Sequence, residues 1–284
     1  TYCITRIARG QSRSQSVQEV LEDIRSAAAG GAKEIVLSGV QLGSWGQELN
    51  PPLHLCELIR IILAETEIPR IRLSSVEPWN LDENFFALWQ DPRLCRHFHL
   101  PLQSGAAATL KRMVRNTTPE NYRQLVKLIR GMIPQAGITT DILVGFPGET
   151  DDDFAESLAF VNDMRFAAGH VFPFSPRAGT AAARMNDQVS PDVCKQRALV
   201  MRKALDLSNR EFLQRCIGES MDVLWESADA LGPDGWQMHG LTDNYIRVTA
   251  VSPELRHNQI NRVTLVEVDG DGMRAQIEKE TIRT

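Results

Sequence analysis

Residues 138–150, ITTDILVGFPGET, decide the fold. The run 138–144 is apolar and rich in β-branched side chains, the composition of a strand. Gly145-Phe146-Pro147-Gly148 is then a tight turn. Thr150 caps a helix that opens with Asp151, Asp152 and Asp153, acids suited to the positive end of a helix dipole. Phe154, Leu158 and Val161 follow at helical spacing. Strand, glycine-rich loop and helix make one unit of a parallel α/β fold. Asp141 interrupts the apolar run, and a buried carboxylate needs a partner. In a barrel of parallel strands, loops such as this one line the ligand face. The loop lacks the Gly-Lys-Ser/Thr ending of a phosphate loop. A plain tight turn explains its glycines as well as close approach to an adenine does.

The same alternation extends outward in both directions. Upstream, 97–100 (HFHL) is a strand entering Pro101-Leu102-Gln103-Ser104-Gly105, with helices over 107–113 and from Thr118-Pro119. Further back, 70–74 is a strand followed by a helix around 85–89. The strand 34–38 runs into the loop GVQLGSWG and a helix through Leu55, Leu58, Ile59 and Ile62. Ser16 and Glu19 form a capping box for a first helix, stopped by Gly30-Gly31. Downstream, 170–174 is a fifth strand, and Ser190-Pro191 starts a long helix to about Arg215. Five strands with turn-rich loops and intervening helices predict a parallel barrel or a doubly wound sheet.

After Cys216 the pattern changes. Short strands over 221–224, 245–251, 263–268 and 273–277, split by Gly, Asp and Pro turns, predict a separate small β-barrel. Charge divides at the same place. Residues 216–284 hold 6 Lys+Arg against 12 Asp+Glu, so of the overall −5 they carry −6 and residues 1–215 carry +1. Neither part has the strongly basic surface of a sequence-independent nucleic-acid binder. The five cysteines are scattered and odd in number, which argues against a disulfide framework and for a reducing compartment. No apolar run approaches the roughly 20 residues of a membrane span.

Six stretches, in order, resemble one family, the radical S-adenosylmethionine methylthiotransferases. They are TYCITRIARGQSRS, LSGVQLGSWG, RIRLSSVEP, HFHLPLQSGA with LKRMVR, TTDILVGFPGETDDDF, and HVFPFSPRAGTAAARM. The segment after Cys216, with LTDNYIRV, is similar to the RNA-binding TRAM domain that ends these enzymes. GVQLGSWG is most similar to the branch acting on threonylcarbamoyladenosine in tRNA. The resemblance implies an incomplete parallel (β/α) barrel of radical SAM type over residues 1–215, with a linker helix, and a TRAM-like all-β barrel over 216–284. It implies replacement of a C–H of a hypermodified adenosine next to the anticodon by a methylthio group, through a 5'-deoxyadenosyl radical. The implied cofactors are S-adenosylmethionine and two 4Fe–4S clusters. The implied partners are the tRNA anticodon loop and a reductant protein, in the cytoplasm.

Cys3 matches the last cysteine of the family's Cys-x-x-x-Cys-x-x-Cys cluster motif. The first two cysteines, the first barrel strand and the family's amino-terminal domain have no counterpart here. The chain is therefore expected to be a fragment, without a complete cluster or activity by itself. Gln41, Ser75, Glu77, Gln103 and Ser104 sit just past strand ends, placed to hold the amino, carboxylate and ribose groups of S-adenosylmethionine. Asp141 and Gly145 join them as cofactor-facing residues. For RNA, the expectation falls on Arg177, with Lys111, Arg112, Arg115 and Arg184. In the terminal barrel it falls on Asn244, Tyr245, Arg247 and Arg262, with Tyr245 stacking on an unpaired base. Two other classes compete. His97-x-His99 suggests a metal-dependent barrel hydrolase, though no Asp/Glu–His cluster completes its site. A non-catalytic RNA-binding module is the third.

Overall fold

A computed structural model describes residues 2–5, 8, 10–79 and 81–278. Its larger part alternates helices and parallel strands. The order is α1 (Val17–Ala29), β1 (Glu34–Leu37), α2 (Leu55–Glu65), β2 (Arg70–Leu73), α3 (Glu83–Phe86) and β3 (His97–His99). There follow α4 (Ala107–Met113), α5 (Pro119–Met132), β4 (Gly137–Val144), α6 (Asp151–Met164), β5 (Ala168–Pro173) and α7 (Pro191–Arg215). The start signals act as read. Ser16, Thr118, Thr150 and Ser190 each accept a backbone N–H of the first turn they cap.

β4 is the centre of a three-stranded parallel sheet, β3-β4-β5. Ile138, Ile142 and Val144 are buried in the main core with Phe98, Phe160 and Val161. β1 and β2 form a second parallel pair. The two sheets are not one continuous ladder, as a simple barrel would have. The Ile71 N–H donates to Arg93 O at 2.7 Å, and Val76 N–H to His99 O at 3.0 Å, so among the described residues β2 and β3 are linked through isolated bridges at their flanks, Ile71 to Leu94 and Ser75 to His99. The chain folds tightly just before β3, where His97 N–H donates back to Cys95 O at 2.8 Å. The result is an open arc of five strands with helices outside. β1 pairs only with β2 among the described residues, an edge that invites a further strand.

The terminal part is a closed barrel of five strands, one more than the sequence suggests. They are β6 (Ser220–Gly232), β7 (Gly235–Thr242), β8 (Arg247–Ser252), β9 (Ile260–Asp269) and β10 (Gly272–Ile277). β7 is not legible in the sequence because GWQMHGLT starts on Gly235, is broken by Gly240 and alternates weakly. A Cβ at Gly240 would run into Leu224 O and the Trp225 ring, so the glycine serves close strand approach. Met221, Val223, Trp225, Met238, Val248, Val263 and Leu265 fill the core, and Phe212 and Leu213 of α7 join them. The long helix thus enters the second core while Ala198, Met201 and Leu205 belong to the first.

The two parts are locked together by the turn 242–245. Arg72 donates to Thr242 O and Asp243 O, both at 3.0 Å. Arg96 pairs with Asp243 at 2.5 Å, and Asn244 Nδ2 donates to Gln135 O at 3.0 Å. Arg96 and Gln135 lie just before the starts of β3 and β4, and Arg70, the first residue of β2, donates to Leu241 O at 3.1 Å. The turn therefore plugs the amino-terminal end of the arc. A Cβ at Gly137 would overlap the Asn244 carbonyl oxygen, so the first residue of β4 is a glycine by docking.

Candidate active site

The opposite end of the arc gathers the strand-end loops. After β1, the Gly43 N–H donates to Glu77 Oε2, of the loop after β2, at 3.2 Å. Burial pushes the Glu77 carboxyl up, against the pull of that N–H and of Arg115. Arg115 donates to Pro101 O after β3 at 2.9 Å and lies over the Trp79 ring. Gln103, at φ 72°, donates to Asp141 O and accepts from the Leu143 N–H, joining the loop after β3 to β4. Phe146, after β4, packs its ring against Phe174 and Tyr2. Tyr2 in turn carries the exposed Cys3 to this end. Loops after β1, β2, β3, β4 and β5 therefore meet on one face, with Cys3 beside them.

Inside the arc, below that face, runs a polar ladder. His97 Nε2 and His99 Nδ1 both lie 2.9 Å from Thr139 Oγ1. His99 Nε2 is 3.2 Å from Asp141 Oδ2, and His170 Nδ1 is 3.3 Å from Asp141 Oδ1. A hydroxyl has one proton to give, and one tautomer assignment of the two rings satisfies every contact toward the Asp141 carboxylate. His97 Nε2–H donates to Thr139, Thr139 donates to His99 Nδ1, and His99 Nε2–H donates to Asp141. Burial, with Arg72 and His99 nearby, pushes the His97 pKa well down, so its ring is neutral. Burial opposes ionisation of Asp141, but His99 and His170 outweigh it and hold the carboxyl below its usual range. At the bottom, the Tyr245 ring stacks on His97 at 4.1 Å and 7°, with the Arg72 guanidinium 5.2 Å from the Tyr245 centroid. The ladder so runs from the docked turn to the loop face.

The expected cofactor residues divide into two groups. Gln41, Ser75, Glu77 and Gln103 lie in the loops after β1, β2 and β3 that meet at this end, and Cys3 follows Tyr2, whose ring packs on Phe146. Ser104 does not present its hydroxyl there: it is buried and accepts from Ala106 N–H at 3.2 Å. Gly145 needs no ligand to account for it. Its φ is 73°, and a Cβ would strike Cys194 Sγ. Its N–H is already taken by Glu149 Oε1 at 2.9 Å, a carboxylate that Arg197 pairs at 2.7 Å. That carboxylate occupies the Gly145 N–H that a phosphate would otherwise take. Asp141 faces inward as expected, and its oxygens are shared by two imidazoles.

The RNA expectations need more correction. Asn244 is buried in the docking turn, and Tyr245, at φ 74°, has one face covered by His97. Arg112 pairs with Asp153 at 2.6 Å, and Arg115 is held by Pro101 and Trp79. Arg247 and Arg262 are exposed and pair with Asp271 and Asp222. Arg177 is exposed in the loop after β5. The metal-hydrolase alternative finds no support: among the described residues no three His, Cys, Asp or Glu side chains are grouped to hold a metal. His97 Nε2 and His99 Nδ1 both go to Thr139, and His99 Nε2 goes to Asp141. What sequence reasoning missed is Thr139, the hydroxyl that ties the two histidines, although its place two residues before Asp141 on an alternating strand signals the same face.

Residues 1–161 match the sequence pattern of the Radical SAM superfamily. This protein belongs to that superfamily. Its curated relatives are longer. A tRNA-2-methylthio-N(6)-dimethylallyladenosine synthase of Acetivibrio thermocellus is 38% identical over 80% of this chain and 47% of its own. One from Anoxybacillus flavithermus is 33% identical over 99% of this chain and 53% of its own. The threonylcarbamoyladenosine tRNA methylthiotransferase MtaB of Bacillus subtilis is 33% identical over 94% and 59%. The chain thus spans about half the length of the curated relatives it matches. Among solved structures, coproporphyrinogen III oxidase of Escherichia coli, a radical SAM enzyme, is similar over 70% of this chain and 45% of its own, at 17% identity and a TM-score of 0.49.

Superfamily membership implies S-adenosylmethionine and a 4Fe–4S cluster. Of the five cysteines, Cys3 is exposed beside the loop face, and the other four lie elsewhere, Cys95, Cys194 and Cys216 buried. These residues alone do not make a cluster site. Gln41, Ser75, Glu77 and Gln103 belong to loops at the same end of the arc as Cys3, polar residues suited to S-adenosylmethionine.

Proposed function

We propose that the protein is part of a tRNA methylthiotransferase that replaces a C–H of a hypermodified adenosine next to the anticodon by a methylthio group. The observation that carries this reading is the extent of the likeness. Identity of 33% to the threonylcarbamoyladenosine enzyme runs over 269 residues, through both the barrel and the terminal domain. Threonylcarbamoyladenosine in tRNA is the proposed substrate, and the loop GVQLGSWG, similar to that branch, supports it. In the longer protein Cys3 joins two further thiolates as a cluster ligand, and a reductant protein supplies the electron. Bound there, the cluster and S-adenosylmethionine supply the one-electron chemistry that activates a C–H bond. The chain's own residues do the holding. Glu77 and Gln103 orient the cofactor's polar groups, and Phe146 with Tyr2 closes the apolar side of the face. Arg177 and the arginines of the terminal barrel meet the RNA. A tRNA substrate places the protein in the cytoplasm. The 284 residues alone lack the ligands for activity.

Iron and sulfide reconstitution tests this. The full-length protein is expected to turn brown and cleave S-adenosylmethionine when reduced. Cys3→Ser is expected to lose one cluster's share of the iron and all cleavage. Unchanged iron content in that variant would refute Cys3 as a ligand.

A further inference from the structure

We propose that His170, backed by Asp141 and His99, reads the substituent on the substrate adenosine and so selects a polar, threonylcarbamoyl-type group over a hydrocarbon one. The inference rests on the tRNA methylthiotransferase reading above. Its starting point is an asymmetry in the ladder. His99 and Asp141 keep only 15% and 24% of their side chains exposed, whereas His170 keeps 74%. The buried part is fully spoken for. Asp141 gives one oxygen to each imidazole, and His99 uses both ring nitrogens, on Thr139 and Asp141. His170 uses Nδ1 on Asp141, and its Nε2 has no protein partner among the described residues. The ladder therefore ends in one ring edge, fixed in orientation by a carboxylate and open to a ligand.

Its position suits a substrate. His170 lies opposite Asp141 in the β4–β5 register, one step below the Gln103–Ile142 bridge where the strands give way to loops. Tyr2, adjacent to Cys3, is near enough to feel the charge of Asp141. Beside His170, at 6.2 Å between ring centroids, stands the half-exposed Phe172. A flat base has an apolar ring to lie on there, with the polar edge next to it.

The relatives' names pose two substituents. A dimethylallyl group is a hydrocarbon. A threonylcarbamoyl group carries a hydroxyl, amide-type N–H groups and a carboxylate. A neutral His170 accepts from the hydroxyl or an N–H, and a protonated one donates to the carboxylate. Either state has a partner in the polar group. Covering the same ring edge and Asp141 with a hydrocarbon removes water and returns no hydrogen bond. Sites built to hydrogen-bond a substrate group discriminate strongly against analogues that lack it.

The test uses the full-length holoenzyme and two anticodon stem-loop RNAs, one bearing threonylcarbamoyladenosine and one bearing dimethylallyladenosine. Binding is followed by fluorescence anisotropy. Wild type is expected to bind the first at least about tenfold more tightly. His170→Leu is expected to bring the ratio to within about twofold, and His170→Gln, which keeps a polar edge, to restore several-fold preference. His170 is exposed, so neither change removes a core contact. Equal binding by wild type, or an unchanged ratio in His170→Leu, overturns the inference. Absence of binding to either RNA overturns the tRNA reading beneath it.

Discussion

His97 sits where both halves of the protein meet, and it is held neutral by burial. That has a consequence for stability. The unfolded chain takes up a proton at an imidazole pKa of about 6.5, while the folded ring does not. Below that pH the unfolded state binds more protons, so stability is full above it and falls as the pH drops further. The slope from one such group is at most about 1.4 kcal/mol per pH unit. His97→Phe keeps a ring against Tyr245 and removes the titration. Denaturant unfolding between pH 7 and pH 5 should show a shallower loss of stability for the variant; equal slopes would contradict a buried neutral ring. At this scale the sequence was only partly legible. Alternation placed His97 and His99 on one face of a strand, but the spacing of two histidines does not reveal what lies between them. Thr139 comes from a strand about 40 residues away.

Among the elements, the helix caps and the organising strand could be read because each is a local pattern with a local cause. Thr150 and Asp153 close a capping box within four residues. The turn 242–245 could not be read this way. An exposed-looking Asn-Tyr pair between strands serves equally for gripping a base or for docking on a neighbour. Here Arg70, Arg72 and Arg96, far upstream, decide for docking. β7 was missed for a related reason: its glycines answer to the adjoining strand, not to its own propensity. The docking makes Gly137→Ala informative. The new methyl has no room against Asn244 O, and overpacking of this kind costs about 1–3 kcal/mol. Limited proteolysis should then separate the terminal barrel from the rest faster than in wild type. Unchanged cleavage, with unchanged stability, would mean that the turn is not the anchor.

For the whole molecule, the arrangement is directional. The terminal barrel plugs the amino-terminal end of the strand arc, and the loops with Cys3 occupy the other. On the proposed tRNA reading, RNA held by the terminal barrel has to reach around the larger part to the loop face, which favours its exposed rim, where Arg247 and Arg262 lie, over the docked turn. The acidic balance of residues 216–284 points the same way, to local contacts rather than overall attraction. Nucleoside mass analysis tests the proposed reaction on tRNA most directly. In cells lacking the full-length gene, tRNA is expected to lose the methylthio form of threonylcarbamoyladenosine and to accumulate the unthiolated parent, with the gene restoring the mass. An unchanged nucleoside profile would rule out this reaction for the protein.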